Sequence, residues 1–165
     1  MARVYVSAGS NINREKNIDS ALRALAAEYG ELQQSSVYES DAVGFDSAPF
    51  YNLVIGFHTS ETPQAVQARL HAIEDVCGRK RTSALSARTL DLDLLLYDDR
   101  VIEEGKLVLP RDDIQRYAFV LGPLAEIAGT AIHPVTGKTF AKMWTDFDKH
   151  SQPLVTVRWP PEKEK

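Results

Sequence analysis

Apolar and polar positions follow two different periods along the chain, one typical of strands and one typical of helices. A short apolar run at residues 4–8 ends at a Gly-Ser-Asn turn and predicts a first strand. The next segment has one apolar helical face, with Asn13 placed to cap its start and Gly30 to end it. The residues of this face are Ile18, Ala21, Leu22, Leu25 and Tyr29.

A second helix is marked at both ends by residues with capping preferences. Thr62 is placed as its N-cap, Pro63 as its first residue and Gly78 just beyond its last turn. Its apolar stripe consists of Val66, Leu70, Ile73 and Cys77. Further strands are predicted at 32–39, 51–57, 91–98, 107–109 and 154–159, and further helices at 119–128 and 140–147.

The first six elements have the order β-α-β-β-α-β, which is typical of a ferredoxin-like arrangement. This order predicts an α+β fold in which an antiparallel sheet carries two helices on one face. We expect a single domain over residues 1–159 and a frayed tail over residues 160–165.

Length, charge and cysteine content restrict the class of protein. A chain of 165 residues is long enough to bury a core without disulfides or metals. The net charge of −4 argues against a general nucleic-acid binder. The single cysteine excludes a disulfide framework and indicates a reducing compartment. Because no apolar run has the length of a signal peptide or a membrane span, we expect a cytoplasmic protein without membrane partners. We also expect a monomer that does not bind nucleic acid.

Basic and acidic residues are unevenly distributed between 78 and 93. Four basic residues and no acid occupy the segment before the strand at 91–98, and they are Arg79, Lys80, Arg81 and Arg88. The strand then alternates, so Asp91 and Asp93 are expected to point away from Leu92, Leu94 and Leu96, which would face the core. Two close carboxylates need a positive partner. Magnesium held by one or two carboxylates and by phosphate oxygens is one such partner, and arginines suit the phosphates.

The residues alone leave a second interpretation equally open. Asp91 and Asp93 could be the solvated face of an edge strand, and the cations at 79–81 could complement the dipole at a helix end. The chain has no G-x-x-x-x-G-K-[ST] loop, which excludes a Walker-type nucleotide hydrolase.

Short motifs follow one another in order along nearly the whole chain. They are A-G-S-N at 8–11, I-E at 73–74, G-R-K-R at 78–81, R-T-L-D-L-D-L-L-L-Y at 88–97, F-V-L at 119–121, P-L at 123–124, E-I-A at 126–128 and H-P at 133–134. Together they resemble the 6-hydroxymethyl-7,8-dihydropterin pyrophosphokinases. The resemblance implies an enzyme of folate biosynthesis that transfers diphosphate from ATP to the hydroxymethyl group of the dihydropterin and releases AMP.

The resemblance also implies a role for individual residues. Asp91 and Asp93 would hold two Mg²⁺ ions, and Arg79 and Arg88 would be catalytic contacts to the phosphates. The other ATP-binding residues would be Glu74, Arg81, Arg111 and Arg116. The pterin-binding residues would be Ser40, Val43, Phe50, Asn52 and Phe119. In that pocket the two phenylalanines would stack on opposite faces of the pterin ring, and Asn52 would hydrogen-bond to it. The backbone of Ser40 and Val43 would hydrogen-bond to the amide edge of the ring.

The chain departs from the family pattern in its loops. Leu85-Ser86-Ala87 stands in place of a Trp-Gly-Pro lead-in, within a shortened loop. Arg111 stands in place of a histidine and Asp41 in place of a proline. Tyr117 stands in place of an arginine, and Arg116 lies one position early.

These departures keep other functions open. A catalytically weak or altered-substrate paralogue that binds pterin or nucleotide is the main alternative. A ferredoxin-like RNA-binding domain fits less well, because such domains present aromatic residues within a basic sheet and this strand presents two aspartates. The segment at 80–87 is poor in apolar residues, so we expect it to close only over bound ATP and magnesium.

Overall fold

The structure, a computed structural model, describes residues 1–41, 49–77 and 90–161 of the chain. Its strands are β1 (Ala2–Ser10), β2 (Gln33–Gln34), β3 (Val37–Ser40), β4 (Phe50–Thr59), β5 (Asp91–Tyr97), β6 (Ile102–Glu104), β7 (Leu107–Leu109) and β8 (Val155–Val157). Its helices are α1 (Arg14–Tyr29), α2 (Pro63–Cys77), α3 (Asp113–Arg116), α4 (Ala118–Ala128) and α5 (Phe140–Asp146), followed by a 3-10 turn at Lys149–Ser151.

The main sheet has the strand order β5-β1-β4-β3-β8, with β2 beside β4. Its pairs are antiparallel, and β1 runs against β4 from Ala2–Thr59 to Ser10–Tyr51. With β2 and β3 counted as one interrupted strand, the βαββαβ order agrees with the prediction. The hairpin of β6 and β7 forms a separate small sheet, in which β7 was predicted and β6 was not.

The two long helices begin and end near the predicted residues. Thr62 caps α2, because its Oγ1 accepts a hydrogen bond from the Ala65 backbone N–H at 3.1 Å. Asn13 lies at the start of α1 in the left-handed region, but its side chain makes no capping hydrogen bond. Gly30 ends α1 with a φ of 79°. The predicted end of α2 at Gly78 lies outside the described residues.

Helices cover both faces of the sheet. The face toward α1 and α2 was predicted, and its buried residues include Ile18, Leu25, Val66 and Leu70. The opposite face packs on α3, α4 and α5, through buried residues such as Ile114, Val120, Leu124 and Phe140. Strand β4 lies between these layers, so Tyr51 to Phe57 are all buried. Leu53, Ile55 and Phe57 pack on one face of the strand and Val54 on the other.

The strand predicted at 32–39 is interrupted by a bulge. Gln34 pairs with Ile55 and Tyr38 pairs with Asn52, so four steps of one strand oppose three steps of the other. One of residues 35–37 is therefore extra. At Ser35 the backbone N–H donates to the Val54 carbonyl at 2.9 Å, and the Oγ accepts a hydrogen bond from the Val54 N–H at 2.9 Å. A side-chain hydroxyl therefore takes the place of a backbone carbonyl at this bulge.

A second bulge changes the orientation of the C-terminal half of β5. Val6 pairs with Leu94 and Tyr5 with Leu96, which leaves Leu95 as the extra residue. Leu92 and Leu94 pack under α1 and α2 as predicted. The prediction for Leu96 is wrong, because the bulge turns it to the opposite face, where it packs in the same cluster as Leu95.

The C-terminal part of the chain was predicted to contain a last strand and a tail. β8 forms the outer strand beside β3, at the position where a last strand was expected. The division into a domain at 1–159 and a tail at 160–165 stays a prediction, and residues 162–165 lie outside the described part. Among the helices of the described part, none combines the length and the apolar character needed to cross a membrane.

Candidate active site

A cavity of about 190 Å³ opens where three strands meet at one edge of the sheet. Because β1 is antiparallel to both neighbours, its C-terminal end lies beside the beginnings of β4 and β5. Gly9 is the meeting point, since it pairs with Asn52 on one side and with Asp91 on the other. The cavity is lined by Ser7, Ala8, Gly9, Ser40, Asp41, Phe50, Asn52, Asp91, Asp93, Asp113 and Phe119.

One end of the cavity is aromatic and amide-lined, and it is called the aromatic end below. It consists of Phe50, Phe119, Asn52 and Ser40. Asn52 is buried and its Nδ2 donates a hydrogen bond to Ser40 Oγ at 2.6 Å, which fixes the amide. A Cβ atom at Gly9 would lie 3.1 Å from Asn52 Oδ1 and 3.7 Å from the Phe50 ring. The absence of a side chain at Gly9 therefore keeps this end open.

Two contacts support the Phe119 side of the aromatic end. The Tyr117 ring stacks on the Phe119 ring, with centroids 5.0 Å apart and an angle of 18° between the planes. Further along α4, Glu126 accepts hydrogen bonds from the Ser36 N–H at 3.0 Å and from the Tyr38 hydroxyl at 2.6 Å. Burial and the hydrogen bond to Glu126 raise the pKa of Tyr38 to about 12, so its hydroxyl stays a proton donor. These bonds hold α4 against β3.

The other end of the cavity carries three carboxylates and is called the acidic end. Asp91 and Asp93 project from the start of β5, and Asp113 belongs to α3. Arg111 lies beside them: its Nη2 is 3.6 Å from Asp93 Oδ1 and its Nε is 3.2 Å from Asp113 Oδ2. The backbone N–H of Arg111 donates to the Leu95 carbonyl at 3.0 Å. The β5 bulge therefore also places this arginine.

The structure brings six of the predicted site residues into one cavity. They are Ser40, Phe50, Asn52, Asp91, Asp93 and Phe119. The sequence analysis missed Asp113, which lies in a four-residue helix too short to show periodicity. The only sequence signal for it is the Asp-Asp pair that follows Pro110-Arg111.

Three predicted ATP-binding residues of the described part do not line this cavity: Arg111, which contacts its lining residues Asp93 and Asp113, and also Glu74 and Arg116. Glu74 is buried on α2, and its Oε2 accepts a hydrogen bond from the Leu92 N–H at 2.8 Å. This contact joins α2 to β5 beneath the acidic end. Arg116 ends α3 with its side chain exposed, and its backbone carbonyl accepts a hydrogen bond from Gln152 Nε2 at 3.0 Å.

The remaining predictions fall outside the described residues. They concern Val43, Arg79, Arg81, Arg88 and the closure of the segment at 80–87.

The donor set at the acidic end restricts the kind of metal site that is compatible with it. Within residues 1–41, 49–77 and 90–161, no group of three or more His, Cys, Asp or Glu side chains is arranged to hold a metal ion. A magnesium site on Asp91 and Asp93 would therefore need further oxygens from phosphate and water. That mixed set is the one magnesium takes in phosphoryl-transfer enzymes, so these residues fit it.

A family model and individual relatives of this chain all carry the same family name. A family model described as 7,8-dihydro-6-hydroxymethylpterin-pyrophosphokinase matches residues 5–129. A 2-amino-4-hydroxy-6-hydroxymethyldihydropteridine pyrophosphokinase of Aquifex aeolicus is 37% identical over 141 residues, which cover 84% of this chain and 88% of the relative. The protein of the same name from Synechocystis is 36% identical over 158 residues, covering 94% and 78%.

Some relatives are much longer than this chain. A folic acid synthesis protein of Pneumocystis carinii is 35% identical over 150 residues, and the chain spans only 20% of its length. A solved HPPK-DHPS triple mutant of Plasmodium falciparum superposes with a TM-score of 0.72 at 14% identity, covering 90% of this chain and 41% of that one. At that identity the likeness concerns the fold alone.

Proposed function

The chain belongs to the 7,8-dihydro-6-hydroxymethylpterin-pyrophosphokinase family, and from this premise we propose that the cavity described above is where diphosphate passes from ATP to the dihydropterin. Pyrophosphokinase is the activity in the names of the Aquifex and Synechocystis relatives, most of whose length the chain covers. The chain is accordingly an ATP-dependent diphosphokinase of folate biosynthesis, and ATP is its co-substrate. The observation that carries the assignment of the cavity is the junction of an aromatic end and an acidic end at Gly9.

The aromatic end is proposed to bind the pterin. A flat heterocycle with an amide edge is recognised by aromatic faces and a few fixed polar groups. Phe50 and Phe119 would contact the two faces of the ring, and Asn52 would bond to its edge. The hydrogen bond from Asn52 to Ser40 fixes the amide before the ligand arrives. The backbone of Ser40 and, by its position in the sequence, of Val43 completes the proposed pocket.

The acidic end is proposed to bind the triphosphate together with two Mg²⁺ ions. Asp91 and Asp93 would hold the metal, which supplies charge neutralisation for the phosphates when bound. Asp113 and Asp93 orient the Arg111 guanidinium at the border of the cavity, where its remaining donors suit a phosphate. Arg111 is therefore the ATP-binding arginine that the contacts favour over Arg116.

The same role is proposed for the arginines of the basic segment. Arg79 and Arg81 follow α2 in the sequence, and Arg88 precedes Asp91 by three positions. This proximity along the chain supports Arg79 and Arg88 as the catalytic contacts to the transferring diphosphate. Glu74 is proposed to act on the nucleotide side through β5, because its carboxylate bonds to the backbone of Leu92 between the two aspartates.

In the proposed reaction the oxygen of the pterin hydroxymethyl group attacks the β-phosphorus of ATP. The bond between that phosphorus and the oxygen bridging to the α-phosphorus breaks, and AMP leaves with that oxygen. The hydroxyl proton is released as the new phosphate ester forms. The residues of the chain contribute by positioning and charge stabilisation, which dominate catalysis of phosphoryl transfer.

The proposed partners are the two small substrates, and the proposed working form is a cytoplasmic monomer. The reaction consumes ATP, which supports the cytoplasm.

Product analysis tests this function. The chain is incubated with ATP, Mg²⁺ and 6-hydroxymethyl-7,8-dihydropterin, and nucleotides are separated by chromatography. AMP and the dihydropterin diphosphate should form in equal amounts. Formation of ADP, or of AMP without pterin product, would contradict the proposal. No turnover combined with tight pterin binding would instead support the non-catalytic paralogue.

A further inference from the structure

Arg14, the first residue of α1, contacts the hairpin end of β3 and β4 in three ways. Its Nη1 donates hydrogen bonds to Glu39 Oε2 at 2.9 Å and to the Pro49 carbonyl at 3.1 Å. Its guanidinium carbon lies 3.9 Å from the centre of the Tyr51 ring. A planar guanidinium can stack by its face and donate from its edge at the same time.

The contacted residues alternate with residues that line the cavity. Glu39 pairs with Tyr51, and Ser40 pairs with Phe50 in the next position of the ladder. Because successive side chains of a strand point to opposite faces, Arg14 binds one face of this hairpin end while the cavity is built on the other. Ser40, Phe50 and Asn52, which line the cavity, each directly follow one of the contacted residues.

We propose that Arg14 is a positioning residue for the pterin, and this inference rests on the function proposed above. One side chain fixes the two points where the chain leaves β3 and enters β4, because it bonds to the residue before Ser40 and to the residue before Phe50. It thereby sets the separation of Ser40 and Phe50 and the direction of the Phe50 ring. Arg14 does not line the cavity itself, so its effect reaches the ligand only through the hairpin.

The inference predicts a selective effect on one substrate. Arg14→Ala should raise the KM and the dissociation constant for the dihydropterin by about tenfold, as expected when a binding wall loses its pre-organisation. The KM for ATP and the kcat at saturating dihydropterin should stay near the values of the unmodified chain. Arg14→Lys retains a cation for Glu39 but loses the planar stack on Tyr51 and the bond to the Pro49 carbonyl. Its pterin affinity should therefore lie between that of Arg14→Ala and that of the unmodified chain.

A matched control is available on the same helix. Arg23 also pairs with a carboxylate, since its Nε lies 2.8 Å from Asp19 Oδ2, but this pair is exposed and lies within α1. Arg23→Ala should therefore leave both substrate affinities unchanged. Steady-state kinetics and calorimetric titration of the dihydropterin are measured for all three variants, together with thermal unfolding.

The possible outcomes separate the inference from the function on which it rests. Unchanged pterin affinity in Arg14→Ala, or an equal loss for ATP and pterin, would overturn the positioning role. If Arg14→Ala does not fold, Arg14→Lys and Glu39→Gln provide the same comparison, and unchanged pterin affinity in both would overturn it. Failure of the unmodified chain to bind the dihydropterin would overturn the proposed function and, with it, this inference.

Discussion

The two ends of the cavity differ in the way the fold supports them. At the acidic end the backbone does most of the positioning: the start of β5 places Asp91 and Asp93, and the bulge at Leu95 binds the backbone of Arg111. At the aromatic end, side chains position the residues that line the cavity. The Tyr117 ring stacks on Phe119, and Arg14 bonds to the ends of the two strands beside Phe50.

This difference has a consequence for mutagenesis. Changes of side chain at the acidic end should alter the chemistry while leaving the cavity in shape. Changes of supporting side chains at the aromatic end should alter pterin affinity while leaving the chemistry of the bound complex intact. Each prediction below measures both substrates, so that the two ends can be compared directly.

The largest effect is expected for Asp93→Asn. The change removes a proposed metal ligand without altering the size of the side chain, and a catalytic metal contributes several kcal/mol to transition-state stabilisation. The kcat should therefore fall by about a thousandfold or more, since each 1.36 kcal/mol is a factor of ten. Pterin affinity and the unfolding temperature should change little. Asp99→Asn, an exposed aspartate just after β5, is the control. Near-normal turnover in Asp93→Asn would exclude the metal role.

Phe119→Ala should produce the largest change in binding. Loss of a stacked ring costs about 1–3 kcal/mol, which is about 5-fold to 140-fold in the dissociation constant of the dihydropterin. ATP affinity should be retained. Val120→Ala, the buried neighbour on α4, lowers stability without touching the cavity and serves as the control. Equal losses for ATP and pterin would mean that Phe119 acts as a core residue.

Arg111 and Arg116 provide a comparison within the acidic end. Arg111→Met should raise the KM for ATP by about tenfold, because a charged hydrogen bond to phosphate contributes about 1.5–3 kcal/mol and part of it is lost to solvent screening. Arg116→Met should have a smaller effect, since its side chain is exposed, whereas Arg111 lies beside the lining residues Asp93 and Asp113. Pterin affinity should be unchanged in both. The reverse order of the two ATP effects would assign the phosphate contact to Arg116.

The smallest effect is expected for Glu126→Gln. The variant keeps the shape of the side chain but weakens its bonds to Ser36 and Tyr38, at a cost of about 1–2 kcal/mol in the free energy of unfolding. Pterin affinity should fall by about twofold or threefold, since Phe119 is on the same helix. Glu103→Gln, at an exposed position of β6, is the control for denaturant unfolding. Unchanged stability in Glu126→Gln would show that α4 is held by its apolar contacts alone.

The parts of the fold that the sequence predicts are those with long, regular burial patterns. The stripe from Ile18 to Leu25 and the cap at Thr62 define α1 and α2 because local spacing alone determines them. The bulges within residues 35–37 and at Leu95 could not be predicted, because they depend on which residues of a distant strand lie opposite. For the same reason the orientation of Leu96 was mispredicted.

The site divides in the same way. The opposite orientation of Asp93 and Leu92 follows from strand alternation and is visible in the sequence. The aromatic end cannot be predicted from sequence spacing, because Phe50, Asn52 and Phe119 come from distant segments. These residues were predicted only through the resemblance to a family. Asp113 has neither a periodic pattern nor a matched motif, so only the three-dimensional arrangement reveals it.

The most direct test of the central claim, that one cavity holds both substrates end to end, is a crystal structure of the ternary complex. The chain is crystallised with Mn²⁺, 6-hydroxymethyl-7,8-dihydropterin and an ATP analogue whose α,β-bridging oxygen is replaced by methylene. Anomalous scattering should locate manganese between Asp91, Asp93 and the phosphates, and the pterin ring should lie between Phe50 and Phe119. Manganese bound away from these aspartates, or a pterin bound outside the aromatic end, would contradict the account.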